Sequence, residues 1–321
     1  MPSVFVCSKI PEEGLTMLRQ KDFVVEVNQG LEELTKDGLK QIFSKFDAVI
    51  TLVTNKIDGD VVGAGGSNLK IVSNYGVGFD NIDLEACRKK GITVTNTPGV
   101  ASESVAEHTF MLFLACAKQV VEADKFVRLG KYKNWDPYAF VSPQLWGKTI
   151  GIIGLGRIGT FVGHIAYQGF KMSILYHDLS RSEDFELLTE AKYSDLATIL
   201  GEADYVTLHV PLNEATRHLI SRKEFSLMKK TAILVNTARG PIVDEDALIW
   251  ALSEKKIAAA GLDVFEHEPQ ISSELLSLPN VIVTPHSASA TLETRIAMSK
   301  ISAQNIIDTF DGKEPFGLIK S

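Results

Sequence analysis

Between residues 149 and 285 the chain alternates short, continuous apolar runs with stretches of helical periodicity. Continuous apolar runs are typical of strands buried on both faces, and their alternation with helices indicates a parallel sheet covered on both sides. The pattern therefore predicts a doubly wound, Rossmann-type α/β sheet, in which ligands bind beyond the carboxyl ends of the strands. The predicted strands are TIGII (149–153), SILYH (173–177), YVTLHV (205–210), AILVN (232–236), AAGLDV (259–264) and VIVTP (281–285).

Nearly every residue expected to bind a ligand or take part in a reaction lies at the end of one of these predicted strands. Because the strands are expected to be parallel, their carboxyl ends share one edge of the sheet. These residues are Gly154, Gly156 and Gly159 after the first strand, Asp178 after the second, Pro211 after the third, Arg239 after the fourth, Asp263 and Glu268 at and after the fifth, and His286 after the sixth.

The glycines of GLGRIG predict a dinucleotide site. A lone GxGxxG is weak, but this one follows a strand and opens a helix, and an acid, Asp178, ends the next strand. The glycines allow a tight turn and close approach of a pyrophosphate to a helix N-terminus. Asp178 would accept hydrogen bonds from the adenosine ribose and repel a 2′-phosphate, which favours NAD over NADP. Arg181 leaves NADP open, because an arginine there can accommodate that phosphate.

Arg239, Glu268 and His286 fit a site that reduces the carbonyl of an acid. A histidine is suited to donate the proton as hydride arrives, and a guanidinium holds a carboxylate in a two-pronged geometry. A carboxylate beside the histidine orients the ring and favours its charged form. Each residue alone has a structural interpretation, since a histidine beside proline at a strand end is more often structural. Their convergence at one sheet edge supports function.

Three further polar residues near the same edge have other interpretations. His209 lies inside the predicted third strand and is expected to pack or to support the site. His267 lies in the turn-like stretch EHEP and is expected to be exposed. Asp263 ends a strand and either caps a helix or contacts the nicotinamide ribose.

The most apolar part of the chain, FMLFLACA (110–117), is too short to cross a bilayer. It lies in a predicted helix over 104–129, for which Ser104 and Glu107 form a possible capping box. A helix that is apolar on most sides is buried on most sides. Burial in the core and a role in a subunit interface both remain open.

Composition and charge narrow the functional class. The chain has 321 residues, 45% of them hydrophobic, with a formal net charge of -7, which favours neither nucleic acid nor an anionic membrane as partner. The N-terminus has no basic stretch followed by a long apolar run, so no signal peptide is expected. Cys7, Cys87 and Cys116 are far apart and form no metal-ligand grouping, which predicts reduced thiols and a cytoplasmic location.

Four ordered blocks, GLGRIG, NTARGPIVDEDAL, GLDVFEHEP and TPHSASAT, resemble the D-isomer-specific 2-hydroxyacid dehydrogenases. The resemblance extends upstream to SNYGVGFDNIDLEACRKKGITVTNTPG (73–99) and so covers essentially the whole chain. SNYGVGFDNID, DKFVRLGKY, the Trp135 and Pro137 pair of NWDP, and LWGKTIGIIGLGRIG are most similar to glyoxylate/hydroxypyruvate reductases.

The resemblance implies a fold and an activity. Residues 1–98 with 289–321 would form a flavodoxin-like substrate domain, into which a Rossmann NAD-binding domain, 99–288, is inserted. The protein would reduce glyoxylate or hydroxypyruvate with NADH, as a homodimer built through the cofactor domain. The alternatives are a D-lactate or branched D-2-hydroxyacid dehydrogenase and, in another class, an NAD-responsive corepressor-like binding protein. Nothing in the sequence favours a phosphite or formate dehydrogenase.

The resemblance also implies roles for individual residues. Arg239 would bind the substrate carboxylate, His286 would be the general acid, and Glu268 its partner. The substrate-binding residues would be Tyr75, Val77, Gly78, Arg239 and His286. The cofactor-binding residues would be Gly154, Gly156, Arg157, Ile158, Gly159, Asp178, Val210, Pro211, Thr216, Thr237, Ala238, Arg239, Asp263, His286, Ala288 and Ser289.

Ser287 departs from the family pattern, because an apolar residue is commoner there. It is close enough to His286 in the chain to change local polarity. Tyr75, Phe79 and Trp135 could narrow the pocket towards a small oxoacid, which is a hypothesis about its shape.

Overall fold

The computed structural model describes residues 1–30 and 34–320. The chain forms two units, one discontinuous (Met1–Ala101 and Ala290–Ser321) and one inserted between its parts (Ser102–Ser289). The sequence predicts division slightly earlier, after residues 98 and 288.

The discontinuous unit is built around a five-stranded parallel sheet with strand order β2-β1-β3-β4-β5. This is the flavodoxin-like order, as predicted. Two apolar clusters, one around Phe43 and Val72 and one around Leu18 and Ile50, form its core. Its elements are β1 (Ser3–Val6), α1 (Glu12–Gln20), β2 (Val24–Val27), α2 (Lys36–Lys45), β3 (Ala48–Leu52), α3 (Gly59–Gly63), β4 (Ile71–Tyr75), α4 (Leu84–Lys89), β5 (Thr93–Thr95) and, after the inserted unit, α13 (Leu292–Phe310).

The inserted unit is built around a seven-stranded parallel sheet with order β12-β11-β10-β9-β6-β7-β8. This is the Rossmann order with one more strand, β12, at the far edge, so the predicted fold class is confirmed. Its elements are α5 (Ser102–Lys118), α6 (Val120–Arg128), β6 (Thr149–Ile153), α7 (Arg157–His164), β7 (Ser173–His177), α8 (Glu183–Thr189), β8 (Lys192–Tyr193), α9 (Leu196–Glu202), β9 (Tyr205–Leu208), α10 (Arg222–Leu227), β10 (Ile233–Asn236), α11 (Glu245–Ser253), β11 (Ala259–Leu262), α12 (Ser273–Ser277) and β12 (Val281–Val283).

All six predicted strands are present, and the bounds of β6 and β7 are those predicted. β10 begins one residue later than predicted. β9, β11 and β12 each end two residues earlier than predicted, because the chain turns into the loops that carry the polar residues. As a result His209 lies just beyond β9 and not inside it, although its N–H still donates to Ile153 O (2.7 Å). Strand β8, two residues long and exposed, was not predicted.

The single helix predicted over 104–129 is wrong in two respects. The helix begins at Ser102, so Ser104 lies within its first turn and cannot form the predicted capping box. It also breaks at Gln119, whose φ of 51° is left-handed, and α6 restarts at Val120. α5 packs in the core, with Phe110, Leu112 and Phe113 buried, whereas α6 buries none of its residues.

Within the described residues no helix is long and apolar enough to cross a membrane, and no cluster of side chains could hold a metal ion. Cys7, Cys87 and Cys116 are free and buried. Burial raises the pKa of Cys7 and Cys116 to about 12 and that of Cys87 to about 11.

Candidate active site

The glycine-rich loop after β6 has two glycines that the fold itself requires. Gly154 has a left-handed φ of 95°, and a side chain there would lie 2.6 Å from the His209 carbonyl carbon. A side chain at Gly159 would lie 2.1 Å from Gly154 O, so only glycine lets α7 pack this close to the loop. Gly156 at the start of α7 is different, because a side chain there would meet nothing within 4 Å. Its backbone is therefore open to a ligand. Arg157 and Ile158 follow it as the first helical residues.

Asp178 lies directly after β7 and is hydrogen-bonded to the loop that follows the adjacent strand, β6. Its carboxylate accepts hydrogen bonds from Leu155 N and from Leu179 N, both at 2.6 Å. Its carbonyl accepts one from the Tyr193 hydroxyl at 3.0 Å. The carboxylate is thus fixed beside the glycine-rich loop while remaining partly exposed.

Arg181 lies in the loop after β7, three residues beyond Asp178, and its guanidinium points at α8. It donates three hydrogen bonds to the two carboxylate oxygens of Glu186, at 2.5–2.9 Å. Glu186 also accepts a 2.7 Å bond from the hydroxyl of buried Tyr176. The bonds from Arg181 and then from Tyr176 hold the pKa of Glu186 below its usual value. Glu186 was not singled out from the sequence.

The loop after β9 is held by its own side chains. Thr216 donates from its hydroxyl to Pro211 O (2.6 Å) and accepts from Asn213 N (2.9 Å), and Val210 is partly buried at the start of this loop. His209 bonds through Nε2 to Thr207 Oγ1 (3.0 Å), and its buried Nδ1 finds no partner among the described residues. Burial lowers the pKa of His209 to about 3, so the ring is neutral.

Arg239 lies three residues beyond β10, and Asn236 at the end of that strand shapes its loop. The Asn236 amide accepts from Ala238 N (3.0 Å) and donates to Arg239 O (2.9 Å). Arg239 is partly buried, and its Nη1 donates to Ala238 O (2.8 Å). At Gly240 a side chain would lie 1.9 Å from the carbonyl of Phe265, so glycine lets this loop lie directly against the loop that leads to Glu268.

His286 and Glu268 form a direct pair. His286 Nδ1 lies 2.7 Å from Glu268 Oε2, and the other carboxylate oxygen accepts from Phe265 N at 2.9 Å. An ionised carboxylate only accepts, so Nδ1 carries the hydrogen and Nε2 is left for proton exchange. The His286 and Glu268 side chains are 29% and 20% exposed, enough to meet a ligand. The first glutamate of EHEP, Glu266, instead accepts from His218 at 2.6 Å, and His267 is exposed, as predicted.

Asp263 is fully buried and holds the loop that carries His286. Its carboxylate accepts from Thr284 Oγ1 (2.6 Å), Ser287 N (2.8 Å) and Ala288 N (2.7 Å), while its own carbonyl accepts from His286 N (2.9 Å). These bonds fix a turn in which His286 has a left-handed φ of 51°. The predicted alternative of a helix cap is wrong, since Asp263 caps none of the described helices.

His108 on α5 completes this network. Its Nε2 lies 3.0 Å from Thr284 Oγ1 and 3.4 Å from Asp263 Oδ1. Burial acts to raise the pKa of Asp263, but the hydrogen bonds from His108, Thr284 and two backbone N–H groups outweigh it and keep the pKa below its usual value. His108 was missed from the sequence because its partner Thr284 is 176 residues away.

The remaining predicted residues of the inserted unit lie around these loops. The Thr237 hydroxyl is buried against Thr109 Oγ1 of α5 (3.1 Å). Ala288 is buried, and Ala238 and Ser289 are partly exposed. The hydroxyl of Ser287 lies 3.5 Å from Asp263 Oδ1, so its polarity acts on Asp263.

In the discontinuous unit, Val77 and Gly78 lie on a loop after β4. The Asn96 and Asn74 side chains donate to Val77 O and Gly78 O, each at 2.7 Å. Across residues 1–30 and 34–320, no protein acceptor takes a hydrogen bond from the backbone N–H of either residue. Tyr75 is buried, with its hydroxyl on Arg295 O (2.7 Å), and burial raises its pKa to about 12. That position leaves the Tyr75 side chain little surface for a ligand.

Comparison with known proteins gives a consistent result. A family model described as "D-isomer specific 2-hydroxyacid dehydrogenase, NAD binding domain" matches residues 110–288. The chain is 46% identical to glyoxylate reductase from Pyrococcus furiosus, over 99% of this chain and 95% of that protein.

Solved structures agree over the whole length. The TT0316 protein from Thermus thermophilus is 38% identical with a TM-score of 0.92, covering 99% of this chain and 100% of its own. An NADPH-dependent glyoxylate/hydroxypyruvate reductase from Sinorhizobium meliloti, in complex with NADP and malonate, is 32% identical with a TM-score of 0.87, covering 99% and 96%.

Proposed function

The chain belongs to the D-isomer-specific 2-hydroxyacid dehydrogenase family, and from this premise we propose that it reduces glyoxylate or hydroxypyruvate to the corresponding 2-hydroxyacid with NADH. The product from hydroxypyruvate is the D isomer, whereas the product from glyoxylate has no stereocentre. That it is an oxidoreductase using a nicotinamide cofactor and a 2-oxoacid follows from the family. The choice of substrate and of NADH over NADPH is the proposal. The observation that carries the chemistry is the 2.7 Å pair of His286 and Glu268, with Nε2 of the imidazole left for proton exchange.

The glycine-rich loop fits a dinucleotide. Gly156 leaves open space where a side chain would stand, at the N-terminus of α7, and this is the cradle that a pyrophosphate needs. In this proposal Gly154, Gly156, Arg157, Ile158 and Gly159 hold the pyrophosphate. The ribose and nicotinamide contacts are assigned to Asp178, Val210, Pro211, Thr216, Thr237, Ala238, Ala288 and Ser289. Asp263 is fully buried, so its role in this proposal is to hold the loop that carries His286. When bound, the reduced nicotinamide supplies the hydride.

Arg239 and His286 act on the substrate from the ends of β10 and β12, the two strands that flank β11. The Arg239 guanidinium binds the carboxylate and so orients the adjacent carbonyl. As the carbonyl carbon gains hydride, its oxygen takes the proton from His286 Nε2, which yields the hydroxyl group and a neutral imidazole. Glu268 keeps the ring in the tautomer this step needs, because its Oε2 accepts from Nδ1. In oxidation the same Nε2 accepts the proton.

A second group of donors for the substrate carboxylate is proposed in the discontinuous unit. The backbone N–H groups of Val77 and Gly78 suit an anion, because Asn96 and Asn74 fix the two carbonyls and leave the amides to a ligand.

NADH is favoured by the two charged groups after β7. Asp178 is anchored where a carboxylate accepts bonds from the ribose hydroxyls and repels a 2′-phosphate. Arg181, the residue that could favour NADPH, is paired with Glu186.

A homodimer through the inserted unit is proposed for the segment 120–146. This segment exposes several large apolar side chains, among them Tyr132 (59%), Trp135 (75%) and Tyr138 (85%). Beside α6 lies a groove of about 480 Å³ lined by Val121, Leu276 and Val281 among others. An exposed apolar patch of this kind is typical of a protein–protein interface, and a second copy is the occupant we propose. The free, buried cysteines support a cytoplasmic location.

The test is loss of NADH absorbance with glyoxylate, hydroxypyruvate, pyruvate and 2-oxoisocaproate as separate substrates, repeated with NADPH. We expect the highest kcat/KM with glyoxylate and hydroxypyruvate as substrates and NADH as coenzyme. A preference for pyruvate would favour a D-lactate dehydrogenase, and a preference for 2-oxoisocaproate a branched-acid enzyme. Binding of NADH without turnover of any acid would reject the reductase assignment.

A further inference from the structure

We propose that Glu186 determines cofactor choice by holding the Arg181 guanidinium in a bidentate ion pair, away from a 2′-phosphate. The inference rests on the proposed coenzyme site after β7, and it adds a second determinant to Asp178. Arg181 lies three residues beyond Asp178, in the loop where the adenosine ribose binds in this fold. An arginine in that loop is the residue type that accommodates the additional phosphate of NADP.

Glu186 binds the edge of the Arg181 guanidinium that a phosphate would need. Arg181 Nε donates to both Glu186 oxygens at 2.8 and 2.9 Å, and Nη2 donates to Oε2 at 2.5 Å. The Nε–Nη2 edge is one of the two-pronged faces with which arginine binds carboxylate or phosphate. While Glu186 occupies this edge, a 2′-phosphate must compete with it.

Glu186 is anchored more firmly than most surface carboxylates. Its side chain is only 14% exposed, against 63% for Arg181. The Tyr176 hydroxyl donates to Glu186 Oε1 (2.7 Å) and accepts from Ser182 N (2.8 Å), so it ties the carboxylate to the loop that carries Arg181. Tyr176 itself is fully buried. The carboxylate therefore loses little side-chain freedom on pairing, and the pair is expected to lie at the strong end for exposed ion pairs.

Two other roles make different predictions. If Glu186 only stabilises α8 and its loop, its loss weakens binding of every nucleotide alike. If Glu186 acts only by repelling a phosphate, its loss strengthens binding of 2′-phosphorylated nucleotides whether or not Arg181 is present. Only release of Arg181 makes the effect of Glu186 depend on residue 181.

The experiment measures binding of adenosine 2′,5′-bisphosphate and of 5′-AMP by calorimetry to the full chain. The proteins are the native chain, Glu186→Gln, Arg181→Gln and the double variant. Glutamine keeps the size of Glu186 and its bond with Tyr176 but loses the charge. Glu183→Gln, on the same helix but outside the hydrogen bonds that Arg181 makes with Glu186, is the matched control for loss of one acidic charge.

We expect Glu186→Gln to tighten binding of the bisphosphate by roughly three- to fivefold, the upper part of the range for an exposed ion pair. Binding of 5′-AMP should change less than about twofold on the same scale. In the Arg181→Gln background the effect of Glu186→Gln should disappear, and Glu183→Gln should have little effect. Tyr176→Phe keeps both charges but removes the anchor, and it should give a smaller change in the same direction.

An equal gain in the Arg181→Gln background would overturn the proposal in favour of plain repulsion. Equal losses for both nucleotides would overturn it in favour of a structural role. Neither result depends on turnover, so failure of the reductase assignment would appear separately, as absence of oxoacid reduction by a protein that binds 5′-AMP.

Discussion

Gly156→Ala separates ligand binding from folding at the glycine-rich loop. A methyl group at this position meets no protein atom within 4 Å, and the backbone has a negative φ of -69°, so the folded protein has room for it. The methyl group would instead stand in the space assigned to the pyrophosphate. We expect unchanged stability without ligand and at least about tenfold weaker NADH binding, which corresponds to about 1.4 kcal/mol.

Weaker NADH binding reduces the rise in Tm that the coenzyme causes. NADH at one hundred times its Kd stabilises a protein by about 2.7 kcal/mol, and a tenfold weaker Kd removes about half of that. For a unit the size of Ser102–Ser289, 1 kcal/mol corresponds to roughly 2–4 °C in Tm. The native chain should therefore gain about 5–11 °C with NADH, and Gly156→Ala about 3–6 °C less.

Gly159→Ala is the matched control. Its methyl group would lie 2.1 Å from Gly154 O, so α7 must move away from the loop. Such overpacking costs about 1–3 kcal/mol, and the Tm without ligand should fall. Thermal melts of both variants with and without NADH make the comparison. A lower ligand-free Tm for Gly156→Ala, or an unchanged gain with NADH, would refute the assignment of that space to the pyrophosphate.

Other substitutions test the chemistry and the buried histidine. Arg239→Gln should raise KM for glyoxylate strongly with Kd for NADH unchanged; steady-state kinetics with unaltered KM would remove the carboxylate role. His286→Ala should abolish turnover in a folded protein that still binds NADH by fluorescence, and near-normal kcat would exclude it as the acid. Glu268→Gln should lower kcat more than it affects the KM for NADH, since only the tautomer and orientation of His286 change. For His209, the pKa is lowered from 6.5 to about 3 in the folded state, so the unfolded chain takes up a proton that the native chain does not. The contribution of this residue to the free energy of unfolding is therefore complete above pH 6.5 and falls towards pH 3 by up to about 1.4 kcal/mol per pH unit. Urea titrations between these pH values should show that the free energy of unfolding depends less steeply on pH for His209→Gln than for the native chain. An equally steep dependence would mean that the native ring titrates normally.

The parallel sheet of the inserted unit could be predicted because its strands are buried on both faces. TIGII and SILYH are apolar enough to fix both bounds of β6 and β7, which the structure confirms. The less certain bounds are those where a strand runs into a functional loop. After β9 and β11 the sequence continues with one polar and one apolar residue, HV and DV, which the sequence pattern assigns to the strands. In the structure one more hydrogen bond to the adjacent strand follows, from His209 N and from Asp263 N, and the regular pairing then ends.

The break between α5 and α6 has no signal in the sequence. Gln119 lies between Lys118 and Val120, with neither glycine nor proline nearby, yet it adopts a left-handed conformation. Local propensity alone continues the helix through this point, so the bend must come from tertiary packing: α5 is held in the core and α6 lies on the surface.

The polar partners that the sequence did not reveal are distant in the chain or lie on another element. His108 reaches Thr284 and Asp263 only because α5 packs near the ends of β11 and β12. Glu186 reaches Arg181 because it lies in the first turn of α8, which begins two residues after Arg181. No periodicity or spacing marks such contacts, since each depends on how two elements pack.

Arg239, Glu268 and His286 each lie on a loop that a hydrogen bond with another group holds in place. Asn236 bonds twice to the loop of Arg239, Phe265 N holds Glu268, and the Asp263 carboxylate binds the turn that carries His286. The sheet alone determines which strand ends are neighbours, and it leaves the direction of each side chain open. A guanidinium, a carboxylate and an imidazole must be aligned closely to act on one carbonyl. The buried groups that fix these loops are therefore as necessary to the proposed reaction as the residues that would touch the substrate.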